Sequence, residues 1–339
     1  MTEPIKTVLI FRHPQPGGHY SIERSFGALL SIWEKHRGAP SFIIHHSSFL
    51  SKGLWPRLCI LAQMVRLRAD VFHITGDIHF AALALPRKKT VLTIHDCGFM
   101  HHRNPLARWL LGVFWLKWPV QHCHLVTTVS EATKAEIIRH TGCNPAKIAV
   151  VPSAVPDHFR PAAKPFFAEK PRILHIGSAP NKNLRRHIEA LRGLPCVLHI
   201  VANVRDEDKR LLEQFGIEHE ITPCLDDAVI VRAYERCDLL LFASTLEGFG
   251  MPVVEAQSVG RPVVTSNCSS LPEVAGREGA CFVNPFDTAS IREGVLRVVN
   301  DAAFRENIVQ CGFENTQRFR VEAIAAAYIR LYQKIHAGG

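Results

Sequence analysis

"DLLLFASTLEGFGMPVVEAQSVGRPVVTSN" occupies residues 238–267 and reads as a strand, a glycine-broken turn, a short helix and a second strand. The continuous apolar runs 238–243 and 261–266 match strands buried on both faces, the pattern of a parallel sheet. Pro252 suits the opening of the helix and Gly260 its stop. The stretch therefore predicts one β-α-β unit, with Glu247 in the loop and Glu255 in the first turn of the helix. Both carboxylates can face one small molecule at the strand's C-terminal end, where hydroxyls of a sugar or ribose are suitable donors. A second reading stays open: Glu255 complements the helix dipole and Glu247 is a solvated loop residue.

Working outward, the same alternation covers the 339-residue chain. In the first half, strands are expected at 6–11, 41–45, 70–75, 89–95 and 124–129, with a helix over 130–140 capped by Ser130. A proline-rich stretch, "VVPSAVPDHFRPAAKPFFAEKPR" (150–172), interrupts the series. A second series follows at 172–177, 196–201, 238–243 and 261–266, and a helical pattern over 321–336 closes the chain. The fold class is α/β: two doubly wound Rossmann-like domains facing a cleft, with ligand at the strand C-termini. We expect a first domain over 1–155, a linker over 156–170 and a second domain over 171–319.

Composition narrows the function classes. Apolar residues make up 47% of the chain, enough for packed cores. No apolar run is long enough to cross a bilayer and the N-terminal stretch has no signal-peptide pattern, so a cytoplasmic protein is expected. The ten cysteines show no metal-ligand spacing and read as reduced and structural. The "DED" triplet at 206–208 reads as a solvated helix face, and no metal site is expected. Residues 1–150 hold 18 Lys and Arg against 8 Asp and Glu, whereas 151–339 hold 22 against 23. The basic first half implies an anionic partner there, such as an acidic glycan, a lipid pyrophosphate or an anionic membrane touched by 52–68 and 101–118, although these two segments read slightly better as ordinary domain helices packed on a sheet. No nucleic-acid recognition motif is present.

Three further loops carry candidate chemistry. In "ILHIGSAPNKNLRRHIEAL" (173–191) a strand ends at Gly177 and a helix opens near Asn183, with Lys182 at its N-terminus. Orphan N–H groups, helix dipole and ammonium together suit a diphosphate. Gly17 and Gly18 in "RHPQPGGHYSIERSF" (12–26) permit close backbone approach to a ligand. His95 and Asp96 in "TIHDCG" (93–98) end a buried-type strand, where His95 can donate to or polarise a substrate. Neither GxGxxG nor GxxxxGK[ST] occurs, which argues against dinucleotide redox chemistry and P-loop hydrolysis.

Taken together, the stretches resemble the retaining GT-B glycosyltransferases of group 1 (family four). The likeness is strongest over 238–286, where Glu247 and Glu255 match the family's E-x7-E motif inside "EGFGMPVVEA…GRPVV…SSLPEVAG". "TVSEATK" (128–134) matches its usual "SE" segment. The resemblance implies that His95, Lys182 and Glu247 are catalytic. It also implies that Gly17, Gly18, Gly177, Asn181, Lys182, Gly248, Phe249, Gly250, Met251 and Glu255 bind the nucleotide-sugar, with Glu255 on the ribose. Many relatives carry an arginine before the lysine; here Asn181 stands there, and Arg185 or Arg186 is available to replace it. The last helix, 320–339, is expected to pack back onto the first domain. The implied activity is metal-independent, cofactor-free transfer of a hexose to a saccharide or lipid-linked acceptor. The expected donor is GDP-mannose, with UDP-sugars close behind, and the setting cell-surface polysaccharide or glycolipid synthesis at the inner face of a membrane. Two rivals are a nucleotide-sugar epimerase and a non-catalytic sugar- or lipid-surface-binding protein.

Overall fold

A computed structural model describes residues 4–14, 21–35, 39–223 and 226–338. The chain divides into two compact units, Met1–Pro156 with Phe319–Gly339, and Asp157–Arg318. Each is built on a six-stranded, wholly parallel sheet, as the unbroken apolar strands dictate.

In the first unit the strands are β1 (Lys6–Phe11), β2 (Ser41–His46), β3 (Val71–Ile74), β4 (Thr90–Ile94), β5 (Leu125–Thr128) and β6 (Ile148–Val150). Their order is β2-β1-β3-β4-β5-β6. In the second they are β7 (Arg172–Ile176), β8 (Val197–Val201), β9 (Glu218–Thr222), β10 (Leu239–Phe242), β11 (Val263–Ser266) and β12 (Cys281–Val283). Their order, β12-β11-β10-β7-β8-β9, is that of a Rossmann domain. Strand order reverses between β1 and β3 in the first sheet and between β7 and β10 in the second. Loops leaving neighbouring strands there turn to opposite faces and open a crevice.

β6, β9 and β12 were not expected from the sequence. β6 and β12 are three residues long, and β9, "EHEIT", is a charged edge strand without an apolar run. Residues 157–170 lack regular secondary structure but lie with the second unit, where Phe159 is buried and Phe166 packs against the core.

The last helix, Val321–Gly338, packs on the first unit. Its Val321, Ile324, Tyr328 and Tyr332 share a core with Leu9, Phe26 and Trp33. Two polar contacts fix its rotation: Trp33 Nε1 donates to the Ala325 carbonyl at 3.0 Å, and His73 Nδ1 lies 2.7 Å from the Tyr332 hydroxyl. His73 Nε2 meets Thr93 Oγ1, also at 2.7 Å. Full burial drives the His73 pKa down to about 3, so the ring bridges helix and sheet as a neutral group.

Candidate functional site

At the reversal point of the second sheet, the loop after β7 meets the loop after β10. Lys182 Nζ donates to Glu247 Oε1 at 2.7 Å, with both side chains largely covered. Asn181 binds the same loop twice, through Thr245 N–H to its carbonyl (2.8 Å) and through its own Nδ2 to the Leu246 carbonyl (2.8 Å). Asn181 Nδ2 also reaches Glu247 Oε1 at 3.4 Å. An arginine at 181 would place a guanidinium where this short amide now ties the loops together.

Lys182 closes a 3-10 turn, Pro180–Lys182, and Asn183 follows in the left-handed region at φ 63° before the helix Leu184–Leu191. The strain at Asn183 is offset by its side chain, whose Nδ2 donates to the carbonyls of Ala243 and Pro285. Gly177, at φ 92°, lies under the lysine stem; a Cβ there would come within 3.0 Å of Lys182 Cγ. The ammonium also sits 4.7 Å from the Phe242 ring centroid. Behind the turn, His175 Nε2–H donates to the Gly177 carbonyl at 2.7 Å, and its Nδ1 accepts from His187 at 2.9 Å. Burial, with the Lys182 charge adding to it, lowers His175 to about 4.

The carbonyls of the 247–249 loop are held from the other side. Ser269 Oγ donates to the Glu247 carbonyl at 2.6 Å and accepts the Glu247 N–H at 3.0 Å, while Ser270 Oγ reaches the Phe249 carbonyl at 2.8 Å. Gly250, at φ 105°, precedes the helix Met251–Val259, whose N-terminus carries no side-chain cap. Glu255 is the fifth residue of that helix, one residue beyond the expected first turn, and is only 2% exposed. The Tyr234 hydroxyl donates to its Oε2 at 2.9 Å, so this carboxylate is oriented by the protein. Tyr234, Ser269, Ser270 and the His175–His187 pair were not singled out from the sequence. Tyr234 meets Glu255, the two serines meet the 247–249 loop and His175 meets His187 across 12 to 22 residues, separations that follow no local pattern.

Other expectations fall out separately. Arg185 is exposed and pairs with Glu189 at 3.2 Å, whereas Arg186 Nη1 donates to Asn183 Oδ1 at 2.9 Å, beside Lys182. Of the two, Arg186 is the one tied to the turn that follows Lys182, and its guanidinium lies 5.8 Å from the Phe286 ring centroid. Asp208 is buried and held by Arg205 at 3.2 Å, so the "DED" face is not wholly solvated. No group of His, Cys, Asp and Glu suited to a metal ion occurs among the described residues.

In the first unit, His95 follows β4 and its Nε2–H donates to the Thr75 carbonyl at 2.7 Å. With that proton on Nε2, an uncharged ring leaves Nδ1 as a hydrogen-bond acceptor, the reverse of the donor role expected from the sequence. Gly76 makes room for it: a Cβ would lie 2.8 Å from His95 Cδ2. Asp96 Oδ1 accepts the Gly98 N–H at 2.7 Å and shapes the turn. Gly17 and Gly18 lie outside the described residues.

Two family models match in tandem: Glycosyltransferase Family 4 over residues 7–159, and Glycosyl transferases group 1 over residues 156–314. The chain belongs to the group 1 glycosyltransferases. Among curated relatives, the serotype-specific mannosyltransferase WbdA of Escherichia coli is 29% identical over 220 residues, 57% of this chain and 27% of that protein. The chain thus spans about a quarter of the length of the first relatives it matches. O-antigen chain mannosyltransferase B of Escherichia coli is 27% identical over 271 residues, 73% of this chain and 70% of that one. Among solved structures, sucrose-phosphate synthase from Thermosynechococcus elongatus superposes with a TM-score of 0.79 at 15% identity, covering 98% of this chain and 100% of that one. That likeness is one of fold.

Proposed function

We propose that this group 1 glycosyltransferase moves a hexose from a nucleotide-sugar to a hydroxyl of a saccharide or lipid-linked acceptor, with retention at the anomeric carbon. The observation that carries this reading is the Lys182–Glu247 pair at the reversal point of a Rossmann sheet, beside the uncapped helix Met251–Val259. An anion entering there meets an ammonium and a helix N-terminus in a site with restricted water access. Lys182 takes the diphosphate, with Arg186 the candidate second cation, and the ordered Glu255 serves the ribose hydroxyls. Gly177, Asn181 and the backbone of Gly248, Phe249, Gly250 and Met251 form the floor. In the first unit, His95 is the candidate to accept a hydrogen bond from a sugar hydroxyl.

In the reaction, the bond from the anomeric carbon to the phosphate oxygen breaks and the bond to the acceptor oxygen forms on the same face. The acceptor proton passes to the departing phosphate oxygen. Lys182 stabilises the charge growing on the diphosphate, so the step requires no metal. The relatives' mannosyltransferase names support mannose as the sugar and polysaccharide synthesis as the setting. GDP is the favoured carrier, ahead of UDP. A lipid-linked acceptor would bring the protein to a membrane's inner face through its basic first unit.

The test is to incubate the protein with GDP-mannose or UDP-glucose, EDTA and a panel of saccharide acceptors. Nucleoside diphosphate release and the anomeric configuration of the product, by NMR, are the readouts. Acceptor-dependent release with a retained α-linkage supports the reading. Release into water alone, an inverted product, or sugar epimerisation without acceptor overturns it.

A further inference from the structure

The first unit has two long stretches without a single Asp or Glu, residues 35–69 and 97–130. Together they hold nine Lys and Arg, as many charges as the chain's whole formal net charge of +9. They also hold 13 of the 15 large apolar side chains exposed among the described residues. Exposed apolar surface and unopposed positive charge therefore coincide.

Two helices concentrate this surface. Leu54–Arg66 exposes Leu54, Trp55 and Leu58, with Trp55 at 73%. A continuous helix over 105–122, formed by Pro105–Leu111, a π-helical turn Gly112–Lys117 and Trp118–His122, exposes Leu106, Trp109, Leu110, Phe114 and Trp118. These residues recur every three or four positions, which makes one apolar stripe. The helices are neighbours, since the Arg57 guanidinium stacks on Trp115 with its carbon 4.6 Å from the ring centroid. Tryptophans flanked by arginine and lysine suit the boundary between headgroups and acyl chains.

A cavity of about 640 Å³ opens at the end of the stripe, lined by Leu83, Arg87, Trp118, His122, Asn144 and Lys147 among others. Arg87 and Lys147 lie in turns entering β4 and β6, and His122 ends the helix entering β5, so the cavity sits at the strands' N-terminal edge. His95 leaves the opposite edge. Neither Arg87 nor Lys147 has a carboxylate partner among the described residues, and no lining residue is acidic. Burial and the Arg87 charge lower the Lys147 pKa, a penalty that a bound phosphate relieves.

We propose that the first unit docks on an anionic lipid bilayer through this double-helix face, with the Arg87–Lys147 cavity seating a lipid phosphate headgroup. A second copy of the chain is disfavoured as the occupant, because it would bring the same unopposed positive charge to the contact. No helix of the described residues is long and apolar enough to cross a membrane, so the attachment lies in the interface.

The test is sedimentation of the purified protein with vesicles of phosphatidylglycerol and phosphatidylcholine, against vesicles of phosphatidylcholine alone. It needs no sugar donor, so its result is independent of the transferase reading. Wild-type protein should pellet with the anionic vesicles only and release as salt rises. Trp55→Ser with Trp109→Ser, and separately Arg87→Glu with Lys147→Glu, should each weaken binding by about tenfold or more while circular dichroism stays unchanged. Failure of wild-type protein to bind, equal binding to neutral vesicles, or undiminished binding by both folded variants refutes the proposal. Concentration-dependent dimers abolished by the tryptophan variant would assign the face to a second copy instead.

Discussion

Lys182 and Glu247 form an ion pair, at 2.7 Å, across the point where the strand order of the second sheet reverses. The carboxylate engages the ammonium that the proposed diphosphate requires. An incoming phosphate thus competes with Glu247, and the two partners should respond oppositely to substitution. Lys182→Ala should reduce transfer by on the order of 100- to 1,000-fold, through loss of charge stabilisation of the leaving group. Glu247→Gln should tighten nucleoside diphosphate binding by roughly three- to tenfold, the scale of a partly exposed ion pair, while lowering turnover. Calorimetry with GDP and UDP reads the second effect. Weaker binding in Glu247→Gln would show that the carboxylate assists the nucleotide and does not compete with it.

Gly177 holds the lysine's position through backbone shape. At φ 92°, with a Cβ directed to within 3.0 Å of Lys182 Cγ, Gly177→Ala meets both backbone strain and a clash. The strain alone costs about 1–2 kcal/mol. Thermal unfolding should fall by several degrees, and transfer should fall further than stability accounts for, because the stem of Lys182 is displaced. Unchanged turnover in a destabilised Gly177→Ala protein would separate the turn from the chemistry.

Tyr234 orients Glu255 from a helix 21 residues upstream, by a 2.9 Å hydrogen bond to a carboxylate that is 2% exposed. Tyr234→Phe should cost about 1–3 kcal/mol of stability, the range for leaving a buried acceptor short of a donor. Nucleotide affinity should fall with it, and the maximal rate at saturating donor much less. Denaturant unfolding and the split between KM and kcat measure the two effects. A loss confined to kcat would remove Glu255 from the ribose role.

Acid should weaken both units. Burial holds His175 near 4 and His73 near 3, below the ordinary value of about 6.5 that they regain on unfolding. The native rings stay neutral while the unfolded chain takes up protons. Their stabilising contribution is therefore complete above about pH 6.5, and is lost as the pH falls toward 4 for His175 and 3 for His73. At pH 5 the loss is about 2 kcal/mol for each histidine in its own unit. Denaturant unfolding at pH 7.5 and pH 5 checks the direction, and His175→Asn should reduce the dependence of the second unit, the buried His187, also held well below the ordinary value, supplying part of the rest. A stability that rises on acidification would contradict the buried neutral pair.

Much of the frame was legible in the residues themselves. The nine expected strands all form: eight are largely buried, and a strand covered on both faces must be apolar throughout, whereas β2 is an exposed edge strand read from its apolar run alone. Ser130 caps its helix as expected, accepting the Thr133 N–H at 3.1 Å, since a cap is a local hydrogen bond. Three strands escaped notice because they are three residues long or lie charged at a sheet edge.

What the chain determined alone was alternation, punctuation and charge. These set two parallel sheets, the loops that carry Lys182 and Glu247, and a basic first half. The tertiary structure decided which distant groups meet: Tyr234 with Glu255, His175 with His187, Asn183 with Ala243 and Pro285, and His73 with Tyr332 across 259 residues. Periodicity records which face of an element is buried. It carries no record of strand order, and strand order brings the loops after β7 and β10 together and sets Lys182 against Glu247.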